Sequence, residues 1–243
     1  MIFDKYIRAF WYMSNNFGDN LNYFLLKNIS GKDVVYTDNR NSSHLISCGS
    51  ILTEANEHTV VWGAGFAWHH DRNERVNRNN VLAVRGELTA ERFDNPNIRV
   101  GDPALLTRNF FNPVCNNKEY KYGIIPHWKD IENIYRMNLK DVLVINPLQD
   151  FRDVVNQILS CEKVISSSLH GLILCDVYEV PNSWLELGTD IGGDGFKFLD
   201  YYSTTESDWK HIESVKGVSF DSCQVHKQSI VTNAENLLNS FPK

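Results

Sequence analysis

From residue 7 to residue 179, short apolar runs alternate with amphipathic segments, and this alternation restricts the fold more than any other feature of the chain. Strand-like runs fall at 7–12, 34–36, 45–48, 59–62, 81–84 and 98–100, and again at 122–125, 142–145 and 164–165. Residues 21–28 predict a helix with Leu21, Phe24 and Leu25 on one face, and 87–92 a short one. Residues 130–137 place Ile131, Ile134 and Tyr135 at helical spacing. In 151–160 an apolar face of Phe151, Val154, Val155, Ile158 and Leu159 follows Asp150, a natural N-cap, and 169–179 is a strongly apolar helix. Strands joined through helices of about ten residues pair in parallel, so the chain reads as α/β. Such sheets gather ligands at the carboxyl ends of their strands, and the loops there are the ones to read for chemistry.

Between 110 and 121 the pattern breaks into Asn112, Pro113, Asn116, Asn117 and Lys118, the composition of a linker. Two Rossmann-like lobes are therefore expected, an N-terminal one at 1–112 and a C-terminal one at 118–243. In the tail, 215–220 predicts a strand and 229–241 a closing helix that buries Ile230, Val231, Ala234, Leu237 and Leu238.

A chain of 243 residues with 42% hydrophobic and 22% charged residues has ample apolar material for such cores. Its net charge of −6 argues against a general nucleic-acid binder, which needs a basic face, but leaves room for an anionic small ligand in a pocket. The five cysteines form no CxxC pair, which disfavours a disulfide framework or zinc ribbon and fits a reducing compartment. Residues 1–12 do not read as a leader, and no run of about 18 apolar residues exists, so a cytoplasmic location is expected.

Six segments carry candidate chemistry. Ser166, Ser167 and Ser168 precede Leu169-His170-Gly171 where a buried strand turns into a helix. Free N–H groups, hydroxyls and the helix dipole make such a turn an anion site, and His170 can bind an anion or move a proton; alternatively the serines merely cap the helix. His127 ends the strand that opens the second lobe, with Pro126 and Trp128 walling its loop, although a lone histidine is more often structural. Gly63 and Gly65 follow a strand and allow close backbone approach to a ligand, or form a plain tight turn. Arg85 at a strand end could fork onto a carboxylate or phosphate, or sit in a salt bridge. Asn16, Gly18 and Asp19 open the first helix, where polar groups could hold sugar hydroxyls or cap it. The loop 192–201 could bring the positive charge of Lys197, or be a glycine-rich turn packing Phe196 and Leu199. No metal-ligand spacing is present: His69 and His70 are adjacent, and HExxH is absent.

Taken in order, NNFGDN at 15–20, WGAGF at 62–66, VRGELT at 84–89, VGDPALL at 100–106, IIPHW at 124–128 and ISSSLHGLILCDVYEVP at 165–181 resemble the polysaccharide pyruvyltransferase family, with GFKFLDYY at 195–202 a weaker addition. The resemblance implies a GT-B-like pair of lobes facing across a cleft, with the acceptor on the N-terminal side and the donor by the SLHG turn. It implies transfer of a pyruvyl group from phosphoenolpyruvate to a sugar of an exopolysaccharide, capsule or cell-wall glycan precursor, as a ketal, with release of phosphate and no cofactor. His170 becomes the general acid or base, His127 and Arg85 hold the donor's anionic groups, and Asn16 and Asp19 line the site. Family members often carry an arginine two residues before this histidine; here that position is Ser168, which leaves Arg85 as the candidate cation. The implied partners are phosphoenolpyruvate and a saccharide or lipid-linked oligosaccharide, with at most peripheral contact at the inner membrane face. A nucleotide-sugar glycosyltransferase and a non-catalytic carbohydrate-binding protein of the same shape are the alternatives.

Overall fold

The computed structural model describes residues 5–115, 117–187, 193–207, 214–226 and 228–242. The first half forms β1 (Tyr6–Phe10), α1 (Phe17–Ser30), β2 (Asp33–Tyr36), β3 (His44–Ile46), β4 (Thr59–Trp62), β5 (Val81–Val84), α2 (Glu87–Ala90), β6 (Arg99–Val100), a 3-10 turn at Pro103–Leu106, and α3 (Thr107–Phe110). The second half forms β7 (Tyr120–Ile125), α4 (Ile131–Arg136), β8 (Val142–Val144), α5 (Phe151–Leu159), β9 (Cys161–Ser166), α6 (Leu169–Val177), β10 (Asn182–Glu186), α7 (Phe196–Tyr202), β11 (Val215–Lys216) and α8 (Gln228–Ser240). The strands make two sheets, one of six in the order β2-β1-β3-β4-β5-β6 and one of five in the order β11-β10-β9-β7-β8. Every pairing between named strands is parallel. This arrangement accords with the α/β alternation and with two Rossmann-like lobes.

The expected strands pair as read, and three local differences have plain causes. Helix α1 begins at Phe17, four residues earlier than its apolar face indicates, because the Asn16 side chain accepts from the Gly18 N–H at 2.8 Å and caps it. Strand β10 was not anticipated, since NSWLE offers no apolar run; it pairs with β9 through Asn182, Ser183 and Trp184. The strand anticipated at 215–220 shortens to β11, which pairs with β10 over two residues.

One apolar core runs through both halves, from Ile7, Leu21 and Leu45 in the first to Ile158, Leu172 and Ile173 in the second. Helix α6 lies in its middle, with Leu172, Ile173, Leu174 and Cys175 all fully buried. Burying side chains such as these three aliphatics stabilises the fold by roughly 1.5–3 kcal/mol each. Helices α1 and α5 join the halves, with the rings of Phe24 and Phe151 4.5 Å apart. Two elements from the second half pack on the first half. Helix α7 packs on α2, and α8 packs on β5, β6 and the Pro103–Leu106 turn. Leu237 of α8 is wholly buried and its carbonyl accepts from the Trp62 indole N–H at 3.0 Å, whereas Leu238, expected on the buried side, is 39% exposed. No helix among the described residues is long and apolar enough to cross a membrane.

Candidate active site

At the carboxyl ends of β1, β3, β7 and β9 the two halves leave a cleft of about 240 Å³. Tyr12, Asn16, Asp19, Gly49, Ser50 and Ile51 line it from the first half; His127, Trp128, Ser168, Leu169, His170 and Lys197 line it from the second. Thus six of the anticipated site residues, Asn16, Asp19, His127, Ser168, His170 and Lys197, meet at one place although the first and last are 181 positions apart in sequence.

The turn between β9 and α6 holds its shape through its own serines. The Ser166 hydroxyl reaches the carbonyls of Ile125 and Ser168 at 3.0 and 2.9 Å and accepts from the Ser168 N–H at 3.0 Å. The Ser167 hydroxyl accepts from the His127 N–H at 2.7 Å, tying the two histidine loops together. Both serines are fully buried, so they build the turn rather than face a ligand. Ser168 is the N-cap of α6 but makes no side-chain capping bond, and it lines the cleft.

His170 occupies the first turn of α6, with its side chain 12% exposed. Its Nε2 lies 3.8 Å from Oδ2 of the wholly buried Asp102. Its Nδ1 side rests on Gly18, where a Cβ would stand 2.2 Å from the nitrogen. Gly18 therefore serves the site by having no side chain. Asp19 accepts from the Ser14 hydroxyl at 2.5 Å; burial raises its carboxyl above the ordinary range, and Ser14 and the nearby His170 pull it back. Cys48 is buried beside Asp102, and burial first, then that carboxylate, push its thiol well above the usual value.

Lys197 and His127 line one side of the cleft, and Lys129 lies near both. Burial, with Arg85 and Lys129 nearby, lowers Lys197 to about 8. Burial, Lys197 and Lys129 lower His127 to about 4, so at neutral pH it is an uncharged imidazole and not the cation expected of it. Its Nδ1 accepts from the Lys129 N–H at 3.4 Å, which leaves the proton on Nε2. Like charges that depress one another in this way form a region where an incoming anion is favoured.

Arg85 does not line the cleft. It is wholly buried, with Nε and Nη2 on Asp200 Oδ2 at 2.9 and 2.8 Å, Nη1 on the Ser50 hydroxyl at 2.7 Å and Nη2 on the Phe66 carbonyl at 2.5 Å. Its fork is used in joining β5 to α7, and it touches the cleft lining through its bond to Ser50 while its charge is felt by Lys197. Gly65 exists for this arginine, because a Cβ there would meet the guanidinium at 2.5 Å. Gly63, at φ +96°, lets Pro103 approach to 2.3 Å of where its Cβ would be. Neither glycine lines the cleft; each permits internal packing. Asp102, not among the anticipated site residues, was visible only as part of VGDPALL, where an acid before proline reads as an N-cap; it does cap Ala104 at 2.9 Å.

Residues 3–187 match the model of the family described as polysaccharide pyruvyl transferase. The chain is 32% identical over 205 residues to the uncharacterised protein L143 of Acanthamoeba polyphaga mimivirus, covering 77% of this chain and 70% of that one. It is 28% identical over 200 residues to the succinoglycan biosynthesis protein ExoV of Rhizobium meliloti (strain 1021), covering 78% of this chain and 61% of ExoV, less than two thirds of that relative's length. A functionally uncharacterised protein of Klebsiella pneumoniae shares the fold, with a TM-score of 0.52 at 11% identity over 88% of this chain and 94% of that one.

Proposed function

The chain belongs to the polysaccharide pyruvyl transferase family, and from that premise we propose that it moves a pyruvyl group from phosphoenolpyruvate to two hydroxyls of a glycan precursor, as a ketal, with release of phosphate. In this reading the halves act as GT-B-like lobes, the first toward the acceptor and the second toward the donor. The observation that carries the reading is the cleft in which Lys197, the Nε2–H of the His127 ring and the N-terminus of α6 converge beside His170. A donor with a carboxylate and a phosphate requires such convergent cations and N–H donors.

The chemistry needs one proton delivered and two removed. A proton added to the donor's methylene carbon makes the central carbon electrophilic. One sugar hydroxyl attacks that carbon and loses its proton. The second hydroxyl then forms the other C–O bond as the C–O bond to phosphate breaks, and its proton leaves with the phosphate. In this reading His170 gives and takes these protons, and the carboxylate of Asp102 lies 3.8 Å from its Nε2. Asn16 and Asp19 face it from the first lobe, where the acceptor hydroxyls would lie. Lys197 takes the charge role for which Arg85 was the expectation, since Arg85 is held by Asp200. Cytoplasmic work on a saccharide or lipid-linked acceptor completes the proposal.

The test is donor binding followed by thermal unfolding, with wild type compared to His170→Ala and Lys197→Met. Phosphoenolpyruvate should raise the wild-type Tm, as any ligand of the native state does, and should raise that of the Lys197→Met variant much less. His170→Ala should lose about 10²–10⁴-fold in phosphate release, the usual contribution of acid–base catalysis. A Tm raised by nucleotide-sugars and not by phosphoenolpyruvate would reject the proposal in favour of a glycosyltransferase.

A further inference from the structure

Beneath the cleft, three segments far apart in sequence bring a thiol, a carboxylate and an imidazole together. Cys48 follows β3, Asp102 follows β6 and His170 opens α6. Their ligand atoms all lie within 4.8 Å of one another. Asp102 is wholly buried and Cys48 is 1% exposed. Asp102 uses Oδ1 to cap Ala104, while its Oδ2 and the Nε2 of His170, both buried, make no hydrogen bond. These two atoms stand 3.8 Å apart. A hydrogen-bonded pair would close to about 2.8 Å. Neighbouring ligands on a tetrahedral ion with bonds of 2.0–2.3 Å stand roughly 3.3–3.6 Å apart, much nearer to the observed spacing.

We propose that Cys48, Asp102 and His170 form a zinc site in the floor of the cleft, and that zinc there suppresses turnover by occupying Nε2 of His170. The suppression rests on the catalytic role given to His170 above; the binding does not. The donor set selects the metal: thiolate with imidazole suits zinc, whereas magnesium and calcium require oxygen ligands. Three protein ligands leave a fourth position for water, and the edge of His170 that lines the cleft provides the approach. Residue spacing could not reveal the site, because ligands at 48, 102 and 170 match no local metal motif.

Zinc is titrated into the reduced full chain against a chromophoric chelator, and cobalt(II) is used in parallel for its thiolate charge-transfer band. Wild type should take up one equivalent, and the cobalt complex should show the band. Cys48→Ala should lose the band, and both Cys48→Ala and Asp102→Asn should weaken zinc by at least about 100-fold. Asp102→Asn keeps the oxygen that caps Ala104, so it tests the ligand without removing the cap. Wild type that takes up no stoichiometric zinc, or variants that bind it as tightly as wild type, would overturn the site. In phosphate release, zinc should inhibit wild type reversibly to chelator, and the ratio with and without zinc should approach one in Cys48→Ala. Stoichiometric binding without inhibition would overturn the suppression. Zinc-free wild type that releases no phosphate would count against the pyruvyl transfer instead, and the cobalt band would still report on the site.

Discussion

Gly18 and His170 are 152 positions apart, and the first can only be understood through the second. A methyl group at Gly18 would stand 2.2 Å from Nδ1 of His170, so Gly18→Ala should push the ring out of place while the helix itself tolerates alanine well. We expect a loss of about 10²-fold in phosphate release, the effect of a misplaced catalytic group, with far-ultraviolet circular dichroism unchanged. Lys197 permits a second prediction. Its ammonium is lowered to about 8 by burial and by Arg85 and Lys129, so it is charged below that pH and neutral above it. The dissociation constant for phosphoenolpyruvate should therefore rise as pH passes upward through about 8, and Lys197→Met should abolish that step. Binding measured between pH 7 and 9.5 decides this, and an unchanged step in the variant would exclude Lys197 as the titrating group. Arg85 shows how residue type can mislead. An arginine at a strand end suits anion binding, yet this one has an acidic partner 115 residues later in α7.

Among the elements, α8 depends most on what surrounds it. Its amphipathic pattern identifies a helix but not its partner, which is the first sheet and not the second. Leu237 touches Gly101, where a Cβ would meet its Cδ1 at 2.9 Å, and the indole of Trp62 bonds its carbonyl. Leu237→Ala should cost about 2–5 kcal/mol in urea unfolding, the range for truncating a fully buried leucine. A loss below about 1 kcal/mol would mean that α8 is only loosely held. Helix α6 is the opposite case, since its apolar residues point in all directions and it is buried on all sides. Its position in the middle of the molecule was legible in its composition, as was the capping of α5 by Asp150.

At the scale of the molecule, a shared core cluster and a cleft join the two sheets, and buried titratable groups make its stability depend on pH. His127 and His226 are both lowered to about 4, the first by burial and its lysine neighbours and the second by burial. Unfolded histidines take up protons from about pH 6.5, but these two resist until about 4 when folded. Their contribution is therefore complete above pH 6.5 and is lost as pH falls from 6.5 toward 4. Asp176 has the opposite sign. Burial raises it to about 7, against the bonds from Asn182, Tyr201 and His226, so its contribution is complete below the ordinary carboxylate range and is lost as pH rises toward 7. The double variant His127→Gln/His226→Gln isolates the histidine part. Relative to wild type its unfolding free energy should rise between pH 6.5 and 4, measured in urea, and a constant difference would show that neither histidine is held neutral.

The amino-acid sequence by itself determined the α/β alternation, the parallel sense of the strands, and several of the segments that end at the cleft. Those properties follow from periodicity, capping and the rule that ligands gather at strand ends, all of which act over a few residues. Only the tertiary structure decided what each polar group does. Arg85 became a strut because Asp200 folds onto it, Ser166 and Ser167 became parts of a turn because the carbonyl of Ile125 and the N–H of His127 lie above them, and Gly63 and Gly65 became packing gaps for Pro103 and Arg85. Asp102 and Cys48 were brought to His170 by strands far apart in sequence. The physical reason is one of range: secondary structure is set by neighbours along the chain, whereas the charge, burial and partner of a side chain are set by residues a hundred positions away.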